Sequence, residues 1–129
     1  MEEINDWIGL LQAKYGEAQE IEERVSLINQ QINELEEFNR GLEELKKSKE
    51  DKILASLGKG VFLPASLTEK QLYLGVGAGI YVKKSLDETK EVVLGQVRKL
   101  IEMKGDLMER DNILGNEMQE LIKKIEKKE

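Results

Sequence analysis

Two stretches of this chain place apolar residues at alternating steps of three and four. The first reads Ile4, Trp7, Leu11, Lys14, Ala18, Ile21, Val25, Ile28, Ile32, Leu35, Asn39 and Leu42, ten of the twelve apolar. A spacing that averages 3.5 residues and persists over more than five heptads predicts a coiled-coil helix. Lys14 and Asn39 are polar intruders in that seam, a device that fixes register at a cost in stability. The second stretch reads Leu86, Lys90, Val93, Val97, Leu100, Lys104, Leu107, Asp111, Leu114, Met118, Leu121 and Ile125, nine of the twelve apolar. A neighbouring line of Leu94, Ile101, Met108 and Ile122, interrupted at Gly115, widens its apolar face. Six glycines fall within the two stretches; they read as tolerated flexibility or close helix approach, at roughly 1 kcal/mol each.

Between the stretches the pattern changes. From Ile53 to Val82 the only charged residues are Lys59, Glu69 and Lys70, and this segment holds the sole proline, Pro64, with five of the 11 glycines. It predicts four short strands: Ile53–Leu57, Val61–Ala65 with an extension to Leu67 left open, Gln71–Val76 and Ile80–Val82. Gly58-Lys59-Gly60 and Gly77-Ala78-Gly79 supply turns that need positive φ, hence Gly58, Gly60, Gly77 and Gly79. Pro64 lacks an N–H for the ladder and suggests an edge or bulge. The predicted division is residues 1–50 as a first helix, 51–84 as a double β-hairpin and 85–129 as a second helix. Ser85 and Glu88 have the spacing of an N-terminal capping box for that second helix.

The expected fold class is α+β: an antiparallel coiled-coil hairpin with two central β-hairpins. A coiled coil between separate chains fits the same spacing. Four short apolar strands have too little of their own chain to cover them, and a lone hairpin is marginal in water. The strands are therefore expected to pair with other subunits. The residues expected to do so are Ile53, Leu54, Leu57, Val61, Phe62 and Leu63 in the first hairpin, and Leu72, Leu74, Val76, Ile80 and Val82 in the second.

Composition narrows the chemistry. The chain has 129 residues, 36% of them charged, a net charge of -6 and only 5% aromatics, with neither cysteine nor histidine. There is no disulfide framework, thiolate nucleophile, Cys/His zinc site or imidazole proton relay. The acidic balance argues against nucleic acid, and the absence of a long apolar run or basic leader argues against a membrane and for the cytoplasm. The abundance of Glu and Lys suits a thermophile weakly. Gly75, Gly77 and Gly79 lack dinucleotide-loop spacing, no Walker sequence is present, and Asp106, Glu109 and Asp111 lack EF-hand spacing. Paired acids such as Glu36-Glu37 and Glu43-Glu44 read as solvated helix faces rather than an acid–base pair. No cofactor, metal or catalytic residue is expected.

Gly58-x-Gly60-x-Phe62 with Val76-Gly77-Ala78-Gly79, then Ser85-x-Asp87-Glu88, all set between two long coils, resemble the α-class subunit of archaeal prefoldin. The resemblance spans essentially the whole chain; its specific part is Ile53 to Glu88. One departure is Ala55-Ser56, where many α-class members carry Val-Pro. The resemblance implies a hexamer of two α-class and four β-class subunits, with the hairpins joined in an intersubunit β-barrel platform. It implies client binding at the coil ends, delivery of unfolded proteins to a group II chaperonin, and no nucleotide. A related γ-prefoldin branch builds filaments through the same platform, so a filament or scaffold subunit is the alternative.

In a folded-back hairpin the two chain ends lie together. Client-contact candidates there are Ile4, Trp7, Ile8, Leu10 and Leu11 at the N-terminal end, with Met118, Leu121, Ile122 and Ile125 at the C-terminal end. Burying an aliphatic side chain on a client gains roughly 1.5–3 kcal/mol before ordering costs, and several coils add avidity. For Leu11, Leu121 and Ile125 continuation of the seam is the preferred reading. Trp7, Ile8 and Ile122 are expected beside the seam and exposed.

Overall fold

A computed structural model describes residues 2–128. The order is α1 (Glu2–Lys47), β1 (Lys52–Gly58), β2 (Val61–Ser66), β3 (Gln71–Gly77), β4 (Ile80–Ser85) and α2 (Leu86–Lys128). The chain forms two compact units. One takes in α1 up to Asn33 and α2 from Arg98; the other is Glu34–Val97.

The 3,4 pattern translates directly into burial. Every seam position named above is buried or half-buried, while most other helical positions are exposed. In the first unit Ile21, Ile28, Ile32, Leu114 and Leu121 are buried, and Leu114 has no exposed surface at all. Ion pairs tie the two helices in antiparallel order: Glu3 to Lys128 at 3.6 Å, Lys14 to Glu117, and Glu17 to Arg110 at 3.0 Å. The chain ends therefore come together. In the second unit Leu42, Leu86, Val93 and Val97 are buried, and Glu43–Lys90 and Lys46–Asp87 keep the same antiparallel sense.

The seam intruders find partners across the coil. Lys14 reaches Glu117. Asn39 Nδ2 donates to the Lys90 carbonyl at 3.4 Å, while its buried Oδ1 accepts no bond.

The second helix starts where the capping box places it. The Glu88 N–H donates to Ser85 Oγ at 3.0 Å, and the Ser85 N–H donates to Glu88 Oε1 at 3.2 Å. Buried Thr89 sends its hydroxyl back to the Ser85 carbonyl at 2.9 Å. At the end of α1, the Lys70 ammonium donates to the Lys46 and Ser48 carbonyls. A cation on the last carbonyls of a helix satisfies groups that have no intrahelical partner.

The strands form two separate antiparallel pairs, β1–β2 and β3–β4. Their ends differ from the sequence expectation. β1 runs from Lys52 to Gly58 and β4 runs on through Lys83 and Lys84 to Ser85, whereas β2 ends at Ser66, within the expected range. Two-residue loops, not three-residue turns, close both hairpins. Lys59 (φ 53°) and Gly60 (φ 77°) form one, Ala78 (φ 51°) and Gly79 (φ 72°) the other. Positive φ at both loop residues is the type I′ turn that matches strand twist. Gly58 and Gly77 end their strands at φ 95° and 106°, beside irregularities in register between Ser56 and Gly58 and between Gly75 and Gly77. The bulges thus lie at the turns, where the glycines permit them, and Pro64 sits in ordinary register opposite Leu54.

Asn39 generates a prediction. Replacing it by Leu removes the unpaired oxygen and should stabilise the chain by about 1 kcal/mol. Urea unfolding followed by circular dichroism measures this; a lower midpoint would show that the Asn39 bond to Lys90 outweighs the orphaned acceptor.

Candidate functional site

Two apolar surfaces stand out because the fold leaves them uncovered. The first is on the hairpins. Direct cross-strand partners share a face, so Leu54, Phe62 and Pro64 lie on one side of β1–β2, and Ile53, Ala55, Leu63 and Ala65 on the other. In β3–β4, Tyr73, Gly75 and Tyr81 share one side, and Leu72, Leu74 and Val82 the other. A sheet with one solvated face alternates apolar and polar residues; these hairpins carry apolar side chains on both faces, with Ser56, Lys83 and Lys84 as polar members. Leu54 is 68% exposed, Tyr73 66% and Phe62 58%. Leu57, Val61, Leu63, Val76, Ile80, Tyr81 and Val82 are exposed as well, whereas Ile53, Leu72 and Leu74 are half-buried.

The two hairpins are copies of one device. Lys52 pairs with Ser66 and Gln71 with Ser85; Gly58 pairs with Val61 and Gly77 with Ile80. Leu57-Gly-Lys-Gly-Val-Phe-Leu63 and Val76-Gly-Ala-Gly-Ile-Tyr-Val82 carry that likeness in sequence. It is legible in the sequence as an internal repeat. One difference matters locally. A Cβ at Gly75 would come 3.2 Å from the Tyr81 ring, so glycine lets that ring lie across the strand, where the first hairpin pairs Ser56 with Phe62.

The second surface is in the unit that contains the chain ends. Ile4, Trp7, Leu11, Met118 and Ile125 are half-buried in the seam and Leu121 is buried, while Ile8, Leu10 and Ile122 are exposed. Trp7 therefore belongs to the seam, not to the exposed flank, because it continues the step of three from Ile4. Exposed Ile101, Met103, Met108 and Ile113 lie in the same unit, and the sequence reading gave them no role on the surface.

Ionic contacts frame these surfaces. Arg110 donates to both carboxylate oxygens of Glu17, at 3.0 and 3.2 Å, and holds that carboxyl below its ordinary pKa. Lys90 does the same for Glu43 and Lys46 for Asp87. The Ser85 backbone N–H lowers Glu88. Glu69, 2.9 Å from Lys83, raises the lysine. Among the described residues, no cluster of three acidic side chains is placed to hold a metal, and no helix is long and apolar enough to cross a membrane.

Two long helices joined through two β-hairpins, with apolar surface exposed on the strands, define an α+β coiled-coil hairpin protein. The sequence pattern of the Prefoldin family, described as prefoldin subunit, matches residues 16–129. The chain belongs to the prefoldin family, a family of non-enzymatic chaperones that work as hetero-oligomeric complexes. Among solved structures it resembles filamentous PFD from Methanocaldococcus jannaschii, determined by cryo-EM. That likeness has a TM-score of 0.77 at 17% identity and covers 87% of this chain and 94% of the other. At that identity it establishes the shared fold. No curated protein matches the sequence.

The lowered carboxyls set a pH dependence. Ordinary values are 4.5 for Glu17, Glu43 and Glu88 and 3.8 for Asp87. Folded values lie below these, so the stability they contribute is complete above that range and is lost as pH falls from it through the lower folded values. The raised Lys46, Lys83 and Arg110 act only at the alkaline end. The thermal midpoint should fall from about pH 5 to about pH 3, and less steeply in Glu17→Gln. A midpoint that rises on acidification would show that relief of carboxylate repulsion dominates.

Proposed function

We propose that this chain is an α-class prefoldin subunit: an ATP-independent holdase that binds unfolded proteins at the chain-end part of its coil and passes them to a group II chaperonin in the cytoplasm. Residues 51–84 act as its oligomerisation segment. The observation that carries the proposal is the apolar surface on both faces of both hairpins, in a chain of the prefoldin family. Apolar strands exposed on two faces call for partner strands. β-class subunits, four to each pair of α-class chains, supply those strands in this reading.

A filament-building subunit is the second reading. The solved prefoldin that this chain resembles is described as filamentous. Two matching hairpins also give one chain two similar surfaces for two neighbours, and contacts of that kind close into rings or run on as filaments according to the rotation between neighbours.

Native mass decides between them. On the first reading the purified chain forms a small oligomer that becomes a mixed hexamer with a β-class subunit. An open-ended homo-assembly indifferent to that subunit supports the filament. In either case Phe62→Asp should abolish assembly, because a carboxylate would be buried unpaired at the joint. Phe62 is exposed within the chain, so helix content should survive; an unchanged mass would place the assembly surface elsewhere.

The chain-end residues make a separate prediction. Ile8→Ser with Ile122→Ser should reduce suppression of client aggregation several-fold and leave the oligomer mass intact. Equal suppression at matched concentration would remove those residues from client binding.

A further inference from the structure

The unit containing the chain ends has two unlike flanks. Along one, ion pairs cross between the helices: Glu17 with Arg110, and Lys14 with Glu117. Along the other, apolar residues recur every seven positions. On α2 they are Ile101, Met108 and Ile122; on α1 they are Ile8 and Tyr15. All five are exposed. Residues seven apart stay on one side of a coiled-coil helix. Tyr15, Ala18, Gln19 and Glu22 from α1 line one cleft of about 240 Å³ together with Asp111, Gly115 and Met118 from α2, so two carboxylates border it. The cleft joins the two lines into one face at the gap left by Gly115.

The rows beside these lines are uncharged. On α1 they carry Gln12, Gln19 and Ser26, and on α2 Asn112 and Gln119, all exposed. Taken from Asn5 to Asn29 and from Ile101 to Ile122, the two apolar lines and the rows beside them contain one charged residue, Glu22, in a chain that is 36% charged. Solubility alone does not ask for this, since Glu, Lys and Arg are plentiful on the rest of the helical surface, interspersed with exposed residues such as Leu27 and Ile113.

We propose that this neutral flank is a binding track for uncharged, unfolded polypeptide, extending the client site from the chain ends along the coil as far as Ile101. The inference rests on the holdase reading. Its chemistry is complementary to an unfolded chain. Asn and Gln side chains offer both donors and acceptors, which unpaired peptide groups require. The apolar line receives apolar side chains. Few charges on the flank means little desolvation cost when a neutral segment settles there.

The size of the face argues against a second copy of this chain as occupant. From Ile101 to Ile122 it is about 30 Å long, and at a width of about 10–12 Å for each of its two helices it offers at most roughly 700 Å². A stable protein interface takes about 800 Å² from each partner. A face this small holds a partner only weakly, and weak contacts repeated over several coils suit clients that must be released.

Two methionines on the same helix provide the test. Met108 lies on the neutral flank; Met103 lies one heptad before Arg110, on the ion-pair flank. Their exposures are 50% and 51%. The assembled full-length protein is compared as wild type, Met108→Glu and Met103→Glu, using light scattering of guanidinium-denatured citrate synthase on dilution. Met108→Glu should weaken suppression several-fold while Met103→Glu retains it, with native mass and helix content equal in all three. Equal suppression by the two variants overturns the track. A changed mass in Met108→Glu alone also overturns it, and assigns the flank to contact between copies. A wild type that suppresses nothing defeats the holdase reading itself, and the track with it.

Discussion

A helix of more than forty residues with one narrow apolar stripe gains little by folding alone, because in water most helical stability comes from tertiary packing of that stripe. In α1 and α2 the stripe is the seam, and within each unit each helix supplies the other's missing partner. The rest of the chain depends on that exchange. Burial along the seam makes Leu114 inaccessible and leaves most of the remaining helical surface to solvent. It also brings Glu3 beside Lys128, so residues from opposite ends of the sequence share one surface. Polar residues in the seam are tolerated where they reach across it, as Lys14 and Asn39 do.

The hairpins obey a different constraint. Their ladders are short, and two strands cannot cover each other's faces. Type I′ loops and glycine-hosted bulges fix the register, so Leu54 and Phe62 share one face in the first hairpin and Tyr73 and Tyr81 the matching face in the second. Register is the means by which exposed apolar groups become a defined surface rather than a general adhesive. The anchoring of this segment is polar. The capping box holds the entry to α2, and Lys70 holds the exit from α1.

Much of this was legible in the sequence because it rests on local periodicity. The seam residues, the order of elements and the Ser85 cap follow from spacing and side-chain chemistry that act within a few residues. Strand ends were less legible. Lys83 and Lys84 join β4 because their backbone groups continue the ladder to Tyr73 and Leu72, and no side-chain preference announces that. The cross-coil pairs were invisible for a related reason: Glu17 and Arg110 are 93 positions apart, and only the antiparallel register brings them together. Trp7 was placed beside the seam although its own spacing put it in the seam. For the candidate site, the apolar residues were identifiable, but which of them remain uncovered depends on packing. Ile8 and Ile122 stay exposed where Leu121 does not, and Ile101 and Met108 became visible as surface only once the flank had a direction.

Exposed apolar surface also carries a general cost, since it invites aggregation unless it is small, divided or covered. This chain divides it. The helical flank near Glu17 and Arg110 carries cross-coil ion pairs that keep it solvated around exposed Leu10 and Met103. The neutral flank offers its apolar groups singly, a heptad apart, separated by amides that interact well with water. The hairpins instead concentrate theirs, which suits a surface that is covered once and remains covered. On the proposed reading, the same residue types serve two ends through spacing. Contiguous apolar positions at a strand period favour permanent association, and isolated positions at a helical period favour contacts weak enough to be reversed.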